Sequence, residues 1–207
     1  MTKEIALTFD DGPWGPTTAS AINELIHRQV PATFMLLGEH IELYPQMLRR
    51  AAESQLFAFG NHTFHHQSLK GKSQTYIKEE LRLTSMSAKR VAGVELDFVR
   101  PPFGSLDFSA LNNINLPVVL WSLDTMSWEH HSVVKNIERI QLAKDGDIVL
   151  MHDFQKSETE ALPKMLDILM AKGFTFKTVP DLIGAMKKET VYYSRDERKG
   201  WANTWQK

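Results

Sequence analysis

The chain has 207 residues, 43% hydrophobic and 24% charged, which is ordinary globular usage: enough for one domain with a substantial core, and short for two. Its formal net charge is −1 with no run of like charges, which argues against nucleic acid as the main partner. Cysteine is absent, removing disulfides, thiolate metal sites and a cysteine nucleophile and leaving the redox compartment open.

No apolar run is long enough to cross a bilayer, and residues 1–4 read as leading directly into the first strand, so no signal peptide is expected in them. That strand, 5–9, ends in the adjacent carboxylates Asp10 and Asp11, and Gly12-Pro13 then bends the backbone away. Neighbours on an extended segment point to opposite faces, so Asp10 and Asp11 cannot do the same job unless the strand has already ended. Further short apolar strands are predicted at 32–37, 56–59, 98–100, 117–121, 148–151 and 175–179. Between them, helical periodicity places Ala19, Ile22, Leu25 and Ile26 on one face after Pro16. It also predicts helices at 44–53, 73–91, 133–143, 162–171 and 180–187.

Strands alternating with helices mean βα units and a mainly parallel sheet, closed as a barrel or open and doubly wound. The placing of the polar residues favours the barrel. Asp10 and Asp11, His62, His65 and His66, Arg100, Asp124 and His152 all fall at carboxyl ends of predicted strands, the rim where parallel barrels build their sites. The expected fold is therefore α/β, a distorted (β/α) barrel of about seven parallel strands in a single domain. Its main body is residues 1–190, and residues 191–207 form a tail packed on the barrel. Tyr192, Tyr193, Trp201 and Trp205 in that tail are expected to anchor it rather than stack on sugars.

Gly60-Asn61-His62-Thr63-Phe64-His65-His66 offers two imidazoles four apart, or alternatively three apart. Either spacing, with one carboxylate, leaves an open position on a tetrahedral ion. Arg100 opens a stiff Pro101-Pro102 turn and, if buried, needs a carboxylate partner. Asp124 and Trp128 follow the fifth strand and His152 ends the sixth; each alone is compatible with a core or boundary role. His27, His40, His130 and His131 read as surface residues.

Together these stretches resemble the polysaccharide deacetylases with a NodB-like domain, carbohydrate esterase family 4. The five motifs occur in order: Thr8-Phe9-Asp10-Asp11-Gly12-Pro13, His62-Thr63-Phe64-His65-His66, Arg100-Pro101-Pro102-Phe103, Asp124-Thr125-Met126-Ser127-Trp128 and Leu150-Met151-His152. The resemblance implies a divalent metal, Zn2+ first and Co2+ or another ion second, held by Asp11, His62 and His66. It implies Asp10 as general base, paired with Arg100, and His152 as general acid. Trp128 and Leu150 would line the slot for an acetyl methyl, and the backbone N–H of Phe103 would face the oxyanion.

Three positions depart from the family pattern. Phe103 stands where Tyr is usual, Gln67 where Pro is common, and Ser127 where a second Asp normally supports the acid histidine. Without that Asp, His152 should be less basic; Asp124 or Asp153 is a possible replacement, and Ser127→Asp should raise the upper pKa of the activity profile. The implied activity is removal of N-acetyl groups from N-acetylglucosamine-type glycans, peptidoglycan or chitin-like oligomers. O-deacetylation of the acetylxylan kind is the alternative, and a glycan-binding module a more distant one. A monomer is expected; the resemblance implies action outside the cell or in the envelope, while the residues themselves, with no signal peptide read in them, leave the location open.

Overall fold

A computed structural model describes residues 2–200. The fold is built on β1 (Lys3–Asp10), whose residues from Ile5 onward are buried. In chain order follow α1 (Gly15–His27), β2 (Ala32–Leu36), α2 (Gly38–Leu43), α3 (Pro45–Glu53), β3 (Phe57–Asn61) and α4 (Gln74–Ala92). A single 3₁₀ turn covers Pro102–Gly104, and α5 (Phe108–Asn113), β4 (Val118–Val119), β5 (Leu123–Asp124), α6 (Ser127–His130) and α7 (Val133–Ile140) come next. β6 (Ile148–His152), α8 (Lys156–Ala171), β7 (Phe174–Lys177), α9 (Val179–Ile183), β8 (Thr190–Tyr192) and β9 (Arg198–Gly200) complete the order.

β1 is parallel to β2 along one edge and to β6 along the other, with Asp10 opposite Met35 and His152. β7 takes the first half of β1, from Lys3 to Ala6. β2 passes the sheet to β3, and Val99 bridges Asn61 to Val118. The chain then changes partner within a few residues. Val118 and Val119 pair with β8, whereas Leu123 and Asp124 pair with Val149 and Leu150 of β6. That switch closes the ring. The result is the distorted, mainly parallel barrel the alternation predicts, with its motif-bearing ends on one rim.

Local chemistry sets the element ends. Ser73 caps α4 by accepting the Tyr76 amide, and Gly93 closes it at φ 69° with Lys89 and Arg90 in the last turn. The predicted strand 98–100 reduces to the bridge at Val99, because Pro101 and Pro102 have no N–H to extend the ladder. The helix predicted from 162 begins at Lys156 and carries Pro163 inside it. Loss of one helical hydrogen bond there is offset by burial of Ala161, Leu162, Met165, Leu166 and Leu169. The helix predicted to reach 187 stops at Ile183, where Gly184 adopts φ 78°.

The main core lies between β1, β2 and β6 and helices α1 and α8, with Phe9 stacked on Phe34 at 5.2 Å. In the C-terminal segment Tyr192 is buried and its hydroxyl accepts the Lys187 amide at 2.8 Å. Trp201 and Trp205 lie outside the described residues.

Candidate metal centre and active site

β1 ends at Asp10, and Asp11 enters the left-handed region at φ 72°. This turn brings both carboxylates to one site, the condition that simple strand alternation would have forbidden. Gly12 is required beside them: a Cβ there would stand 2.3 Å from Oδ2 of Asp153. His62 follows the last residue of β3, and left-handed conformations at Thr63 and His66 curl the loop so that His66 returns. His62 Nε2 lies 3.2 Å and His66 Nε2 3.0 Å from Asp11 Oδ1. Of the two spacings, the loop selects four. His65 turns away, half-exposed, with its Nδ1 2.7 Å from Glu80.

These three groups fit a cation. His62 Nδ1 donates to the Arg100 carbonyl at 2.6 Å, which leaves the Nε2 lone pair facing Asp11. Asp11 Oδ1 is buried and has no ordinary hydrogen-bond partner. One potential ligand atom from each of Asp11, His62 and His66 lies within 4.8 Å of the others. In the absence of a metal, burial pushes the Asp11 carboxyl up, but the two imidazoles outweigh it and hold it well below the usual range. Burial likewise pushes His62 down, and the Asp10 and Asp11 charges more than reverse this.

Asp10 sits deeper, 3% exposed, with Oδ1 taking a hydrogen bond from Arg100 Nη1 at 2.6 Å. Oδ2 faces His62 Nε2 at 3.7 Å. Arg100 is fully buried and also donates to Thr8 Oγ1 and the Val119 and Leu120 carbonyls. Its place in the site is underneath: it touches Asp10 but does not line the cleft.

The cleft above has a volume of about 290 Å³. Leu150 and His152 come from β6, Phe103 from the 3₁₀ turn, and Asp124 and Trp128 from either side of the β5–α6 junction; all five line it. Trp128 is half exposed and donates its Nε1 to Asp124 at 3.3 Å, while Asp124 also accepts the Met126 amide at 2.7 Å. Phe103, at φ 61° and 68% exposed, packs edge-on against His66 at 4.7 Å. Burial lowers the His152 pKa against the opposing pull of Asp10, Asp11 and Asp124, and its Nδ1 has no hydrogen-bond partner. Asp153 points away, accepting from Thr18 at 2.6 Å, and burial pushes its pKa up to about 7.

Several contributors carry no sequence signal. His40 is not a surface residue: it is 9% exposed and its Nδ1 lies 2.7 Å from the Asp11 carbonyl. Trp121 and Phe154 add apolar wall to the cleft. Glu158, fully buried on α8, accepts the Thr125 hydroxyl at 2.7 Å beside Ser127 and the His152 backbone amide. Burial pushes its pKa up to about 7. Only the 3.6-residue period of α8, started six residues earlier, could have placed it facing inward.

A family profile described as polysaccharide deacetylase matches residues 1–116. The peptidoglycan-N-acetylglucosamine deacetylase PgdA of Listeria monocytogenes is 32% identical over 185 residues, 88% of this chain and 39% of that protein. The peptidoglycan-N-acetylglucosamine deacetylase of Bacillus cereus is 31% identical over 195 residues, 89% of this chain and 70% of that one. Among solved structures, a T48 deacetylase with substrate superimposes with a TM-score of 0.88 at 36% identity, covering 92% of this chain and 96% of its own. A family 4 acetyl xylan esterase from Clostridium thermocellum, in complex with a cobalt ion, gives 0.87 at 28%, covering 94% and 100%. The chain thus spans well under half of the Listeria relative and nearly all of the two structures.

Proposed function

The chain belongs to the polysaccharide deacetylase family, carbohydrate esterase family 4, and from that premise we propose that it hydrolyses N-acetyl groups from N-acetylglucosamine-type glycans. The observation that carries the reading is the meeting of Asp11, His62 and His66 beside Asp10 and opposite His152 in one cleft. Asp11 Oδ1 and the Nε2 atoms of His62 and His66 would hold a divalent ion, Zn2+ in our reading. When bound, that ion supplies a Lewis acid for the acetyl carbonyl and for water.

The protein's own groups do the rest. Leu150 and Trp128 receive the acetyl methyl, while the apolar cleft wall excludes bulk water. Asp10 accepts the proton of the attacking water through the oxygen that Arg100 leaves free, and Arg100 holds the carboxylate in place with its charge. The Phe103 amide offers a hydrogen bond to the developing oxyanion. His152 gives its proton to the departing amine, a poor leaving group without it. Asp124 fixes the indole of Trp128 rather than the acid imidazole. The glycan is the partner, a monomer suffices because one chain carries every named group, and the relatives' wall substrates suggest action at the envelope or outside the cell.

A second reading is O-deacetylation at the same site. The unpartnered His152 Nδ1 and the Ser127 substitution favour it, because an alkoxide leaving group needs less acid help than an amine. Acetate release from chitooligosaccharides, peptidoglycan and acetylxylan by zinc-loaded and chelator-stripped protein tests both. Zinc-dependent release from the N-acetylated substrates is expected. Release from acetylxylan alone would favour the esterase, and binding of oligomers without any release would leave only a glycan-binding module.

A further inference from the structure

We infer that Glu80 on α4 is the positioning residue of the metal loop: its single carboxylate locks residues 62–66 in the shape that lets His62 and His66 converge on Asp11. The inference rests on the reading of those three residues as metal ligands.

The loop has an unusual backbone to maintain. Thr63 and His66 both hold positive φ, at 69° and 54°, a conformation that is strained for a residue carrying a Cβ. Curled this way, the segment cannot satisfy its polar groups by regular pairing, so each must find a partner elsewhere. His62 N–H goes to the Leu36 carbonyl at 2.9 Å and Thr63 N–H to Asn61 Oδ1 at 2.9 Å. The Thr63 and Phe64 carbonyls accept from Gly38 and Glu39, the first amides of α2, at 2.9 and 3.1 Å.

Two further amides, of Phe64 and His65, both point at Glu80 Oε2, at 3.0 and 2.9 Å, and Glu80 Oε1 meets His65 Nδ1 at 2.7 Å. Glu80 is 3% exposed, so its carboxylate meets these donors largely out of reach of water. It stands on a rigid support. α4 is anchored by buried Ile77, Leu81, Thr84 and Ala88, and Asn61 Nδ2 donates to the Leu81 carbonyl at 2.9 Å. Phe64 is seated against Gly38, where a Cβ would come within 2.2 Å of its ring. The clamp thus holds the loop between the two histidines, through residues 64 and 65, without a hydrogen bond to the metal ligands themselves.

The consequence is a metal site whose geometry is set before the ion arrives. Removing the carboxylate leaves two part-buried amides without their partner and frees the loop to relax its positive φ angles, moving His66 away. Zinc affinity of metal-stripped protein, measured by chelator competition, is the readout, together with amide hydrogen exchange of Phe64 and His65 in the metal-free state. In Glu80→Ala we expect zinc binding weakened by about 10–100-fold, the range for lost outer-sphere support. The Phe64 and His65 amides should exchange fast while β1 and β6 amides stay protected. His65→Ala, which removes one arm but leaves both amide bonds, should bind zinc within about 3-fold of wild type. Core protection equal to wild type with zinc affinity within about 2-fold in Glu80→Ala would overturn the inference. Should Glu80→Ala fail to fold, Glu80→Asp replaces it: the charge is kept but withdrawn by one methylene. A loss of at least about 5-fold supports the clamp, and unchanged affinity overturns it. Wild-type protein that binds no zinc would refute the metal site instead, with the exchange comparison still deciding whether Glu80 holds the loop.

Discussion

Arg100 Nη1 and Asp10 Oδ1 stand 2.6 Å apart in a place neither shares with solvent, the guanidinium fully buried and the carboxylate nearly so. Arg100 also holds Thr8 and two main-chain carbonyls, so the pair is part of the barrel wall as much as of the site. Replacing Arg100 by Met leaves Asp10 as a buried charge without its partner. We expect a loss of about 3–5 kcal/mol in unfolding free energy and of most of the proposed deacetylase activity. Urea denaturation with parallel acetate-release assays measures both, and a variant as stable as wild type would contradict the pairing.

His152 is proposed to serve the leaving group, not the attack. His152→Ala should therefore lower kcat on an N-acetylated oligosaccharide by about 10²–10⁴-fold, the usual contribution of general acid catalysis. Hydrolysis of an aryl acetate, whose phenolate departs unaided, should fall much less. Equal losses on the two substrates would remove His152 from the acid role.

Glu158 links stability to pH. Its pKa rises from 4.5 in the ordinary state to about 7 in the fold because burial disfavours its charge. Between those values the folded protein keeps a proton that the unfolded chain has released, so this group's contribution falls as pH rises from 4.5 to 7 and is flat above. Glu158→Gln, neutral throughout, should gain on wild type by about 3 kcal/mol across that window. Unfolding free energies of both proteins at pH 4.5, 6 and 8 give the difference; a pH-independent difference would refute the assignment. Ser127→Asp places a second carboxyl next to Glu158, and its destabilisation should grow with pH unless Glu158→Gln accompanies it.

Gly12 holds the turn between Asp11 and Pro13, and the Asp153 carboxylate fills the space a side chain would need. Because Asp153 is buried and tied to Thr18, it cannot swing aside cheaply. Gly12→Ala should cost about 1–3 kcal/mol, the usual range for overpacking, and weaken zinc binding through displaced Asp11. Thermal melting with and without zinc checks this, and an unchanged melting temperature in both would show that the loop has room.

Much of this was legible in the residues themselves. Alternating apolar runs announced strands and helices of a parallel barrel, because a segment's own periodicity records which of its faces is buried. The polar residues at strand ends announced a rim, and the five motifs named the groups that the cleft brings together. What the chain left open was decided by contacts between distant segments. Whether His65 or His66 joins Asp11 depends on positive φ values at Thr63 and His66, and those depend on Glu80 and the first turn of α2. His40 under the Asp11 carbonyl, and Glu158 behind Ser127, look like any other polar residue until α2 and α8 are docked. The barrel closes only where residues 118–124 exchange one partner for another. Periodicity is a local property and survives in the sequence. Which buried polar group meets which is a property of three-dimensional packing, where the desolvation of each one must be matched by a partner from elsewhere in the chain.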